Sequence, residues 1–96
     1  MWPLSSSVRP METIRVDGKD IQVHELSFHP ASRSRVLRPV NAQGLLIEFT
    51  WSSGPFKIDL QGIHHLSAAE SELYLRGDLQ VDTLARQLAS NRESLA

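Results

Sequence analysis

Apolar residues recur at every second position over two stretches of the chain. Leu45, Ile47, Phe49 and Trp51 form the first set, and Phe56, Ile58 and Leu60 form the second. A period of two is the signature of a strand with one buried face. Ser52-Ser53-Gly54-Pro55 between the sets predicts a hairpin. Its register pairs Trp51 with Phe56, Phe49 with Ile58 and Ile47 with Leu60. The same register sets Glu48 against Asp59, an unfavourable like-charge pair that Arg35 or Arg38 on a neighbouring strand would relieve.

Residues 12–28 predict a second hairpin. Asp17-Gly18 is a two-residue signal for a turn with positive φ at both positions. It sets Val16 against Lys19 and Ile14 against Ile21, so Ile14, Val16, Ile21 and Val23 share a face. The alternation slips after Val23 and resumes at Leu26 and Phe28, which predicts a bulge near His24-Glu25. Pro30 and Pro39 disfavour helix for the residues before them, and a short strand fits around residues 35–37. Asn41-Ala42-Gln43-Gly44 reads as a turn.

The period then changes. Ser67 followed by Glu70 is a capping-box pattern that opens a helix over residues 67–76, with Gly77 as its stop. The rival is a third hairpin over residues 73–81 through Gly77-Asp78. Val81, Leu84, Ala85, Leu88 and Leu95 lie on one stripe of a final helix, about residues 81–94. The predicted fold class is therefore α+β: an antiparallel sheet of four to five strands (two β-hairpins) covered on one face by one or two C-terminal helices. Residues 1–10, with two prolines and three serines, read as a flexible tail, and residues 11–96 as a single domain. The apolar stripe Ile14, Val16, Ile21, Val23, Ile47, Phe49, Trp51, Ile58 and Leu60 exceeds what two short helices cover. The remainder is expected to face a second subunit.

Composition narrows the function. The 96 residues suit one domain with one modest core. A formal net charge of −1 argues against a dedicated non-specific nucleic-acid binder. Without cysteine there are no disulfides, thiolate metal sites or thiol nucleophile. No run is long and apolar enough to span a bilayer, and the N-terminus lacks an apolar signal core, so a cytoplasmic location is expected.

Four groups of residues are candidates for chemistry. Residues 81–96 resemble the front of a DNA-binding helix-turn-helix. Ala85, Ala89 and Leu95 stand where a small residue, a turn residue and an apolar residue belong, and Arg92, Glu93 and Ser94 would open the groove-reading helix. The segment departs from that pattern at Ser90, normally apolar, and stops after one turn of the second helix. It also lies in the acidic half of the chain: residues 44–96 hold four basic and seven acidic side chains. The plainer reading is one amphipathic helix packed on the sheet. His64 and His65 are candidate general bases, but as neighbours on an extended segment they point to opposite sides, and no nucleophile accompanies them in sequence. Arg33, Arg35 and Arg38 form a basic cluster suited to phosphate or to a carboxylate-rich partner, or else a charged edge strand. Arg76-Gly77-Asp78 spells an adhesion tripeptide that a helix stop explains as well. The five glycines, at 18, 44, 54, 62 and 77, each read as a turn or cap.

The reading that results is a small non-enzymatic protein-interaction or regulatory module acting as a homo-oligomer. Its partner is another protein or a second copy of itself, with Arg33, Arg35, Arg38 and Arg92 as contact residues. No cofactor, metal or membrane is expected, and nucleic acid is disfavoured. The alternatives are a DNA-binding regulator using residues 81–96, and a hydrolase or metal-dependent enzyme centred on His64 or His65.

Overall fold

The computed structural model describes residues 11–95. The expected tail, residues 1–10, lies outside them. Five strands follow one another: β1 (Met11–Val16), β2 (Lys19–His29), β3 (Ser34–Pro39), β4 (Leu46–Ser53) and β5 (Ile58–His65). Two helices close the chain, α1 (Ala68–Leu75) and α2 (Val81–Leu95). The sheet is an antiparallel meander in the order β1-β2-β3-β4-β5, so among the described residues β1 and β5 are its two edges. The architecture is the α+β arrangement expected.

Local chemistry accounts for the ends of these elements. Asp17 (φ 52°) and Gly18 (φ 81°) both adopt positive φ, and the strands they join pair Val16 with Lys19 and Ile14 with Ile21. The bulge falls between Glu25 and Ser27, at Leu26, one residue beyond the expected place. A single turn of 3-10 helix (Pro30–Ser32) ends at Arg33, whose φ of 53° turns the chain into β3. Around α1, the Ser67 hydroxyl accepts from the Glu70 N–H while the Glu70 carboxylate accepts from the Ser67 N–H. At its other end Gly77 donates to the Tyr74 carbonyl and Asp78 to the Leu73 carbonyl, a Schellman termination. Residues 76–78 are thus a helix stop, and the rival hairpin over residues 73–81 does not form.

The core differs from the single apolar face expected. Val36, Leu45, Ile47, Phe49, Leu66, Val81 and Ala85 form a buried cluster on the helix side, flanked by Leu26, Trp51, Tyr74, Leu79, Leu84 and Leu88. Val23, Leu37 and Leu46 form a second cluster, against which Ile14, Ile21 and Ile63 pack. Consecutive residues of a strand point to opposite faces, so Val36-Leu37 and Leu46-Ile47 feed both clusters. Ile14, Val16, Ile21 and Val23 therefore do not share a face with Ile47, Phe49 and Trp51. Curling of the sheet, rather than a helix, covers the second cluster. The reach of Arg35 on β3 to Glu12 on β1, 2.6 Å, records that curl. Each fully buried side chain such as Phe49 or Ile47 contributes about 1.5–3 kcal/mol.

The β4–β5 register is also corrected. Trp51 faces Leu60, Phe49 faces Gly62 and Ile47 faces His64. The turn occupies residues 54–57, with Gly54 and Lys57 at positive φ, rather than residues 52–55. The displacement preserves parity, so the face assignment survives while the pairs change. Gly62 is consequently a strand residue and not a turn. A Cβ there would lie 2.7 Å from Trp51 Cζ3 and 2.8 Å from Phe49 Cζ, so the two rings occupy the space a side chain would need. Ser52 now faces Asp59, and Glu48 faces Ile63, which removes the expected like-charge pair.

Candidate functional site

The arginines of the sequence cluster do not converge on one site. Arg35 is largely enclosed by carboxylates from three strands: Glu12 at 2.6 Å, Glu48 at 2.8 Å and Glu25 at 3.3 Å. The hydrogen bond to Glu48, then that to Glu12, raises its guanidinium further above the ordinary value, against the opposing effect of burial. Relief of the charge on Glu48 by Arg35 is as expected, although Asp59 is not its cause. Arg33 reaches across β4 to Asp59, 2.8 Å away, and that hydrogen bond raises Arg33. The same bond, with one from Ser52, lowers Asp59. Arg38 is exposed and faces His24 across the β2–β3 pair.

The histidines separate as the alternation requires. His64 approaches Glu70 at 3.3 Å on the helix side, and His65 is exposed beside the curl. The Ser67 backbone N–H, with a smaller effect from His64, holds the Glu70 carboxyl below the usual glutamate range. A different histidine makes the closer hydroxyl contact. His29 Nε2 lies 2.9 Å from Ser27 Oγ, which accepts from the Tyr74 hydroxyl at 2.9 Å. Sequence reasoning missed this trio. Its only signal was the spacing of Ser27 and His29, two apart on a strand and so on one face; Tyr74 arrives from 47 residues away. The trio ties α1 to β2. It stands apart from a cavity of about 670 Å³ between the β1–β2 turn and the β3–β4 loop, whose walls include Val16, Lys19, Ile21, Leu46 and His65.

The C-terminal segment is one continuous helix. Residues 89–91 stay helical, so the break expected between two helices of a helix-turn-helix is absent. No glycine or proline interrupts residues 81–95, and Leu84, Leu88 and Ala89 pack on the helix-side cluster. Those contacts hold the segment as a single rod. Arg92 is exposed, with its guanidinium carbon 6.0 Å from the centre of the Trp51 ring. The Leu95 side chain lies outside what is described. Among the described residues no helix is long and apolar enough to cross a membrane.

The surface that stands out is the β4–β5 turn with the adjoining half of β5. Phe56 is 85% exposed, Ile58 59% and Leu60 40%, whereas sequence pairing had placed all three in a core. Among the described residues nothing covers them, because α2 packs chiefly on β4 and the 3-10 turn. The two sheet edges are guarded differently. β1 carries Glu12 and Arg15, the latter paired to Asp20 at 3.0 Å. Over residues 58–63, β5 has one charged side chain, Asp59, held by Arg33 and Ser52. Charged side chains on an edge strand discourage further pairing, and β5 is the poorer in them. Among the described residues no strand pairs with the outer edge of β5, so that edge combines backbone groups with an apolar stripe, the chemistry that can receive another strand.

Comparison of the chain with protein-family models, with curated proteins and with solved structures gives no match.

Proposed function

We propose that this chain is a small non-enzymatic protein-interaction module that accepts an extended polypeptide on its β5 edge. The observation that carries the reading is the coincidence of an edge strand with Phe56, Ile58 and Leu60 exposed beside it. Backbone hydrogen bonds to the edge supply affinity, and alternate side chains of the incoming strand meet the apolar stripe. Trp51 and Arg92 border that stripe and can read its occupant. The arginines fit this role as supports: Arg33 fixes Asp59 on β5, and Arg35 gathers Glu12, Glu25 and Glu48 across the sheet.

Selection of displayed random dodecapeptides against the full chain tests the reading. Enriched peptides should lose binding to Ile58→Lys and keep it with Arg15→Glu on the opposite edge. Enriched peptides that bind Ile58→Lys as well as the parent chain overturn it, as does enrichment no better than that of an unrelated domain.

A further inference from the structure

We propose that the strand received at β5 is β5 of a second copy, paired antiparallel about a two-fold axis at Leu60. Two five-stranded sheets then become one of ten. The inference rests on the interaction-module reading and adds its partner and register.

In a two-fold antiparallel pair the axis residue faces itself, and its neighbours face each other in mirror order. An axis at Asp59 would oppose two carboxylates. An axis at Ile58 would draw in Lys57, whose φ of 51° takes it out of the extended range. An axis at Gln61 sets the apolar Ile58 against the partner's His64, and one at Gly62 sets it against the partner's Leu66, which is already buried. The axis at Leu60 avoids all four. Leu60 faces the partner's Leu60, Asp59 faces the partner's Gln61, and Ile58 faces the partner's Gly62. At that last position the structure has no side chain, only the edges of the Trp51 and Phe49 rings lying over the backbone. Ile58 of each copy therefore meets the other's aromatic pair, extending the helix-side cluster across the interface.

Size and charge agree with a modest dimer. The exposed parts of Phe56, Ile58 and Leu60 amount to roughly 350 Å² of apolar surface per chain, within the range of a functional patch. That is less than half of the about 800 Å² per partner of a standard interface, and the backbone edge and its flanks add to it. Two chains of net charge −1 repel little. A micromolar association is expected.

The chain has no cysteine, so single introduced cysteines report the register. Ile58→Cys, Asp59→Cys, Leu60→Cys, Gln61→Cys and, on the other edge, Arg15→Cys are oxidised separately, with sedimentation equilibrium run on the parent chain. Facing residues hold Cβ atoms about 4.5–5.5 Å apart and diagonal ones about 7–8 Å. Leu60→Cys should therefore cross-link about tenfold faster than Asp59→Cys, and a mixture of Asp59→Cys with Gln61→Cys should cross-link faster than either alone. Leu60→Lys should be monomeric with an unchanged circular dichroism spectrum. A dimer that cross-links fastest at another position overturns the register. A parent chain that stays monomeric at high micromolar concentration overturns self-pairing, and peptide binding that depends on Ile58 would still stand.

Discussion

Gly62→Ala isolates a contact that decides the sign of its own effect. In the middle of a strand, alanine is normally favoured over glycine by about 0.5–1 kcal/mol, because glycine loses more freedom on folding. Gly62 has no positive φ, so the backbone offers no reason for glycine. The added carbon would lie 2.7 Å from Trp51 Cζ3 and 2.8 Å from Phe49 Cζ. Comfortable carbon contacts are about 3.5–4.0 Å, so one or both rings must give by about 1 Å. Phe49 is 1% exposed and fixed in the helix-side cluster, which leaves Trp51 to move. Overpacking of this kind costs about 1–3 kcal/mol. The net expectation is a loss of about 0.5–2 kcal/mol. Urea denaturation followed by circular dichroism measures it, with an unchanged m-value showing that the ensembles are comparable. The cost should shrink in a Phe49→Leu background, where one of the two crowding rings is gone. Stabilisation by Gly62→Ala, or an equal loss in both backgrounds, would refute the ring contact as the reason for glycine.

Two further expectations concern charge. Arg35→Met removes the guanidinium that Glu12, Glu25 and Glu48 share and should cost about 2–3 kcal/mol by denaturation, less than a fully buried pair because Glu12 is 42% exposed. Adding Glu48→Gln should recover part of that loss, and strict additivity of the two changes would refute the shared cluster. Glu70 has a lowered folded pKa, caused first by the Ser67 N–H. Its stabilisation is thus complete above the unfolded glutamate range and disappears as pH falls through the depressed folded value. The stability gap between the parent chain and Glu70→Gln should close on acidification, and a gap that stays constant down to the acid transition contradicts the assignment.

Much of the fold is legible in the residues. Asp17-Gly18, Ser67 with Glu70, and Gly77 mark backbone events that need particular chemistry, and the structure has each of them there. Register and face are harder. Ser52-Ser53-Gly54-Pro55 and residues 54–57 are both acceptable turns, and both keep the alternation in phase. The pattern alone cannot separate them, and the packing of Phe49 and Trp51 over Gly62 does. Leu45-Leu46-Ile47 and Val36-Leu37 were the sign of burial on both faces, masked by the cleaner alternation beside them. The candidate surface was misread for a related reason: Phe56, Ile58 and Leu60 have a core pattern but lie beyond the reach of α2. Periodicity tells which residues share a side; it does not tell where the covering layer ends.

The meander order has a consequence for how the chain reaches this state. Every strand pairs with its neighbour in sequence, and closing such short loops costs little entropy. Contacts of low sequence separation fold fast, so the hairpins can assemble before the helices arrive. The side-chain ties that seat the helices span far more chain: Tyr74 to Ser27 crosses 47 residues and Asp82 to Ser32 crosses 50. A sheet formed before those ties close would expose the helix side of β4. A nascent sheet therefore chooses between its own C-terminal helices and the strands of another chain. Protein concentration during folding would then bias that choice.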